Sequence, residues 1–212
     1  MEKEIFLNSL YQEMDKGNLQ TLGIYGHGGS GKSVLAQELW TLIGKNRANL
    51  LETDVYVLDG SVRDLVAPRS FLDQKVTACM PLAHELGSLE RDIKALQAGL
   101  DILTIERDWQ QSKRLSGEKP ILIVEGMSVA FLPSALFDVR ICLYTDEATS
   151  LARRLTRDVA HRNRSQDFVK AMEKERRDQY RAYYEAYQAQ ADILINQSQN
   201  QFVIERNTYF SD

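Results

Sequence analysis

The sequence predicts an α/β fold, a mainly parallel β-sheet with helices on both faces. Two observations carry this. Short apolar runs alternate along the chain with segments of helical period, the order expected of strand–helix–strand units. One run, "PILIVEG", is apolar without a break, as in a strand covered on both faces. The 212 residues are 43% hydrophobic and 26% charged, ordinary for a soluble globular protein, and long enough to bury a sizeable core. One domain is expected over residues 1–212.

Residues 2–16 read as an amphipathic helix with Ile5, Leu7, Leu10, Tyr11 and Met14 roughly on one face. "LQTLGIYG" reads as a strand, and "GKSVLAQELWTLIG" as a helix stopped by Gly44. "LLETDVYVLDG" is a second strand running into a turn. "PLAHELGSLERDIKALQAG" reads as a helix, with Pro81 near its start and Gly99 past its end. Its apolar face is Leu86, Leu89, Ile93 and Leu96. "PILIVEG" and "VRICLYT" are strands. A helix over "DEATSLARRLTRDVAHR" follows, with Asp146 and Glu147 in its first turn, where acids suit the helix dipole. A long polar helix over "SQDFVKAMEKERRDQYRAYYEAYQAQ" comes next, and "ADILINQ" closes as a strand.

The charge balance excludes some functions. The net charge of −4 gives no support to a general nucleic-acid binder. No apolar run approaches the ~18 residues of a membrane span, and the N-terminus lacks a signal-peptide core. Cys79 and Cys142 have no metal-ligand spacing, and two thiols fit a reducing compartment. A cytoplasmic protein without nucleic-acid or membrane partners is expected. His27, His84 and His161 are scattered and have no metal role.

The most specific signal is "GHGGSGKS", Gly26 to Ser33, which satisfies G-x-x-x-x-G-K-[ST] between a strand and a helix. The backbone of Gly26, His27, Gly28, Gly29, Ser30 and Gly31 can wrap phosphates, and the next helix turns its positive end to the same anion. Lys32 reaches the β- and γ-phosphates, and the Ser33 hydroxyl ligates Mg²⁺. The sheet is therefore of the P-loop NTPase type, with ATP and Mg²⁺ as the expected cofactors. The N-K-x-D motif of a switch GTPase is absent, and a motor needs more chain for coupling elements. Small-molecule kinases lead.

Glu125 ends the "ILIVEG" strand, where a carboxylate can hold the Mg²⁺ hydration shell. Asp54 lies near the end of the second strand, where open α/β sheets bind ligands, and can accept an acceptor hydroxyl's proton. The competing reading is a turn aspartate, although Asp59-Gly60 is the better turn signal. Arg153, Arg154, Arg157, Arg162 and Arg164 crowd one helix end and the turn after it. Guanidinium groups closing over a transferred phosphoryl group are a recurrent device, and this lid spans about residues 153–175. Arg153 also fits a solvated face, and Arg176 and Arg177 read as ordinary surface charge. Tyr180, Tyr183, Tyr184 and Tyr187 read as a packing stripe.

The phosphate loop, "TDVY", "ILIVEG", "FDVRICLYTD", "LARRLTRD" and "HRNR" occur in an order and spacing that resembles the uridine kinase and phosphoribulokinase-like family, from about Gly23 to Asn200. The resemblance implies that Asp54, two residues before Tyr56, is the catalytic aspartate. It implies that Glu125 is the acid ending the third core strand, and that Arg154, Arg157, Arg162 and Arg164 contact the phosphates or the acceptor. Two segments depart from the family. Its ribose-binding "D-H-P" region reads "TACMPLAHEL" here, with Cys79 near the aspartate position. The stretch that surrounds the pyrimidine with Tyr and His reads "DILTIERDWQQSKR", with Trp109 its only aromatic.

The reading is an ATP-dependent kinase of a small alcohol. A nucleoside such as uridine or cytidine is the leading acceptor, and pantothenate, nicotinamide riboside or a sugar phosphate the alternatives. The contrasting hypothesis is an ATP-binding regulatory module without acceptor chemistry. The N-terminal helix can pack on its own domain or on a second subunit, which leaves a homo-oligomer open.

Overall fold

The computed structural model describes residues 2–161 and 165–210. The elements are α1 (Lys3–Asp15), β1 (Thr21–Tyr25), α2 (Lys32–Ile43), β2 (Ala48–Glu52), a short α3 (Gly60–Arg63), α4 (Leu86–Gln97), the hairpin strands β3 (Ile102–Leu103) and β4 (Arg114–Leu115), β5 (Ile121–Glu125), β6 (Val139–Tyr144), α5 (Glu147–His161), α6 (Gln166–Tyr183), β7 (Ile193–Asn196) and β8 (Val203–Asn207). The main sheet runs β2-β5-β1-β6-β7-β8. Its first five strands are parallel, and β8 is antiparallel to β7. This is the predicted α/β architecture with one antiparallel edge added.

The period-2 alternation of strand side chains sorts the core onto the two sheet faces. Leu22, Ile24, Ile121, Ile123, Val139, Ile141, Ile193 and Ile195 face α1 and α2. Tyr25, Leu122, Val124 and Cys142 face Leu89, Ile93 and Leu96 of α4, together with Tyr184. Both faces are covered, which is why these strands read as continuous apolar runs.

Several expected boundaries move. On α1 the buried stripe is Phe6, Leu10 and Met14, and Ile5 is exposed, because α1 packs beside the C-terminal aromatics Phe202 and Phe210. The second strand stops at Glu52, and Thr53–Tyr56 forms a 3-10 turn. Pro81–Ala83 is a separate 3-10 turn, so α4 begins only at Leu86. The long polar helix ends at Tyr183, and Glu185–Gln190 continues as 3-10 turns. The chain does not close at "ADILINQ": β8 follows it. The tyrosine stripe does pack: Tyr184 and Tyr187 meet Phe131 edge-on, Tyr180 lies against Tyr184, and Tyr183 meets Phe71. Among the described residues, no helix is long and apolar enough to cross a membrane.

Candidate active site

The glycine-rich loop joins β1 to α2 at the carboxyl end of the parallel strands. Gly26 has φ +148°, and a Cβ there would lie 2.0 Å from the Leu143 carbonyl oxygen of β6. Gly31 has φ +93°, and its Cβ would lie 2.1 Å from Gln197 Oε1. Both positions need glycine because the loop is pressed against neighbouring chain while its backbone turns left-handed.

Three side chains brace this loop from behind. His27 Nε2 accepts the Thr145 N–H at 3.0 Å, so Nδ1 carries the ring proton, 3.1 Å from Gly28 O. Burial pushes the His27 pKa down and keeps the ring neutral. Ser150 Oγ donates to Gly28 O at 2.9 Å. Arg153 donates to Gly29 O at 3.1 Å, Gln197 O at 3.1 Å and Asn200 Oδ1 at 3.0 Å. Arg153 is thus a structural clamp and not a solvated charge.

Lys32 is 7% exposed and lines a cleft of about 1350 Å³. Beside it, Ser33 Oγ donates to Glu125, 3.0 Å from Oε1 and 3.2 Å from Oε2. Glu125 ends β5 between Ile24 of β1 and Glu52 of β2. Burial raises its pKa, partly offset by Lys32 and Ser33, and the charge of Asp54 raises it further. Asp54 is half-buried on the cleft wall, in the turn after β2.

That turn is tied down by distant residues. Tyr56 does not face the cleft: it is buried, and its hydroxyl donates to Asp92 Oδ2 of α4 at 2.7 Å. Arg107 Nε donates to Val55 O at 2.7 Å. His84 is held between Ser128 Oγ, 2.7 Å from Nδ1, and Ala78 O, 2.9 Å from Nε2. Since Ala78 O can only accept, Nε2 carries the proton, and burial pushes this pKa down to about 4.

The rest of the wall hangs on α6. Gln179 is fully buried; it donates to Lys75 O at 2.7 Å and accepts from Thr77 N at 2.8 Å and Thr77 Oγ1 at 2.9 Å. Cys79 lines the cleft with its thiol pushed up to about 11 by burial, and Trp109, 60% exposed, stands at the rim.

Arg154 and Arg157 of α5 both line the cleft. Arg154 is 5% exposed and pairs with Glu173, while Arg157 meets Asp158 Oδ1 at 2.8 Å. Arg162 and Arg164 lie outside the described residues. Arg176 and Arg177, expected to be ordinary surface charge, line the cleft as well. The acids flanking them in sequence concealed this. Arg177 pairs with Glu147, which comes from α5 and so had no sequence signal. Glu173, four residues before Arg177, stands at the spacing of a helical ion pair, the one signal of this contact in the sequence. Gln179 carried none.

A nucleotide and a divalent ion fit these residues. The left-handed glycines Gly29 and Gly31 open the helix N-terminus, and buried Arg154 Nη2, whose stem lies along this loop, has no partner among the described residues. No group of three or more His, Cys, Asp or Glu forms a metal cage among the described residues. The pair Ser33 and Glu125 instead suits Mg²⁺, which keeps several waters and takes other ligands from phosphate.

The model of the Phosphoribulokinase / Uridine kinase family matches residues 21–203. A uridine kinase of Clostridium perfringens is 29% identical over 158 residues, covering 70% of this chain and 72% of that one. A uridine kinase of Ligilactobacillus salivarius is 27% identical over 196 residues, covering 87% and 88%. Among solved structures, a D-glycerate 3-kinase of Cryptococcus neoformans superposes with a TM-score of 0.67 at 10% identity, over 96% of this chain and 98% of that one, a likeness of fold alone.

Proposed function

Because the chain belongs to the phosphoribulokinase/uridine kinase family, we propose that it transfers the γ-phosphoryl group of ATP to a hydroxyl of a small metabolite, a nucleoside such as uridine or cytidine first. The observation that carries this is the convergence of Lys32, Asp54 and Arg154 on one cleft, with the Ser33–Glu125 pair beside Lys32. Asp54 takes the proton of the acceptor hydroxyl as its oxygen bonds to the γ-phosphorus. The bond from that phosphorus to the bridging oxygen breaks, and ADP leaves. Lys32, Arg154 and Arg157 offset the charge on the equatorial oxygens, joined by Arg162 and Arg164 in the proposed lid. His27 positions the loop through its ring, and Gly26, Gly28, Gly29, Ser30 and Gly31 hold the phosphates through backbone. Ser33 and Glu125 would hold Mg²⁺, which when bound supplies charge to the β- and γ-oxygens.

One observation favours a different alcohol. At the wall position of Cys79 there is a buried neutral thiol and no carboxylate to take vicinal ribose hydroxyls. A panel of uridine, cytidine, pantothenate, nicotinamide riboside and sugar phosphates, read by ADP release, separates these. Turnover with one acceptor is expected, and Asp54→Asn should lower its kcat about 10²- to 10⁴-fold while ATP binding persists. ATP binding without turnover of any acceptor would leave a regulatory module instead.

A further inference from the structure

Five side chains of α5 and α6 form a run of alternating charge along the cleft. Arg154 Nη1 meets Glu173 Oε2 at 2.5 Å, and Glu173 Oε1 meets Arg177 Nη2 at 3.5 Å. Arg177 Nη1 meets Glu147 Oε2 at 2.6 Å, and Glu147 Oε1 meets Arg181 Nη2 at 2.5 Å. Exposure rises outward: the side chains of Arg154 and Glu173 are 6% and 13% exposed, that of Arg181 60%. The outer pairs are screened by water and hold little. The inner pair is desolvated, so its geometry is strongly enforced.

Arg154 is only half satisfied in this arrangement. Nη1 is gripped by Glu173, while Nη2 is buried without a partner among the described residues. Such a donor is costly unless an anion meets it. The stem of Arg154 lies along the phosphate loop, with Cδ 3.7 Å from where a Gly28 Cβ would stand and Cγ 3.5 Å from that of Gly29. Arg154 lines the same cleft as Gly28 and Lys32 on the phosphate-loop side and Cys79 on the other wall.

We propose that Glu173 is a positioning residue: its carboxylate holds one edge of the Arg154 guanidinium so that the other edge meets the phosphate being transferred. This rests on the kinase reading above. An arginine stem has many rotamers, and a donor already aimed needs no reorganisation when charge develops. Arg177 neutralises Glu173 from its far side, so the grip does not cancel the charge that Arg154 presents. Three guanidiniums against two carboxylates leave the run cationic.

The test is a double-mutant cycle over Glu173→Gln and Arg154→Gln, reading calorimetric affinity for Mg·AMPPNP relative to Mg·ADP. Glu173→Gln should lower the triphosphate preference about tenfold or more, the size of one hydrogen bond to a charged group, and leave ADP affinity within about twofold. In the Arg154→Gln background it should add nothing, since it acts only through that arginine. Glu173→Asp should recover part of the preference, and it decides the matter if Glu173→Gln does not fold. Additive losses, equal losses for both nucleotides, an unchanged preference in Glu173→Gln, or a preference in Glu173→Asp as low as that of the Arg154→Gln variant would make Glu173 merely structural and overturn the proposal. A wild-type chain that binds neither nucleotide would overturn the kinase reading itself. One that binds both, with a preference indifferent to Glu173, would overturn the positioning role alone.

Discussion

A methyl group added to Gly26 would stand 2.0 Å from a backbone oxygen, whereas one added to Gly60, across the cleft, would meet nothing within 4 Å. The two sides of the cleft are built differently. On the phosphate-loop side backbone pressed on backbone at Gly26, with β6 behind it, sets the shape, and the His27, Ser150 and Arg153 side chains only add to it. On the Asp54 side it is set by side chains reaching in from far along the chain: Tyr56 to Asp92, Arg107 to Val55, Gln179 to Thr77. A loop fixed by backbone admits few sequences, while a wall fixed by long-range side chains can change as its supports change.

The contrast breaks first at Gly26→Ala. Left-handed strain and the clash with Leu143 O should together cost about 4 kcal/mol, visible as a large fall in Tm and loss of ATP-induced stabilisation. A stable, ATP-binding Gly26→Ala would show that the loop is not fixed by backbone.

Acid should loosen the Asp54 side next. Burial holds the folded His84 pKa near 4, against 6.5 ordinarily. Below pH 6.5 the unfolded ring takes up a proton that the folded ring refuses, so stability falls as pH drops from about 6.5 to 4. The loss approaches roughly 3 kcal/mol and is absent above neutrality. Denaturant titrations across this range should show the slope, and His84→Asn should flatten it. An unchanged slope would assign the acid sensitivity to the other side, where desolvation also pushes the pKa of half-buried His27 down.

Gln179→Leu keeps the volume and removes the partners of Thr77 N and Lys75 O, a loss of about 2 kcal/mol. Its Michaelis constant for the acceptor should rise while ATP affinity stays within twofold. Equal losses for both substrates would mean that the sides are not separately supported. Gly60→Ala should do least, stabilising by about 0.5 kcal/mol through the unfolded chain, with no effect on ATP binding. Destabilisation there would mean that the Asp54 side too is closely packed.

This difference also governs what could be read before the fold was known. The phosphate loop demands glycine by dihedral and by contact, so its requirement is written in residue type at fixed spacing. The buried strands are similarly legible, because covering both faces forces continuous apolar runs. The place of Asp54 on the cleft wall was legible from its position near a strand end and from its neighbours "TDVY". The role of Tyr56 was not, because its partner Asp92 is 36 residues away. Pro81 misled the start of α4 because a 3-10 turn tolerates proline as readily as a helix N-terminus does. The edge strand β8 was missed because its half-exposed "VIERN" carries no apolar run. The cleft cations Arg176 and Arg177 stood among acids, and sequence order does not say which of those acids face them.

The grip of Gln179 on residues 75–77 has a consequence for how such a protein can be altered or diverge. The wall segment and the helix that carries it lie about a hundred residues apart in the chain, yet they are one part mechanically. Transplanting residues 74–79 alone from a relative would deliver the new surface without its mount. A graft that keeps its shape must bring the matching turn of α6 with it.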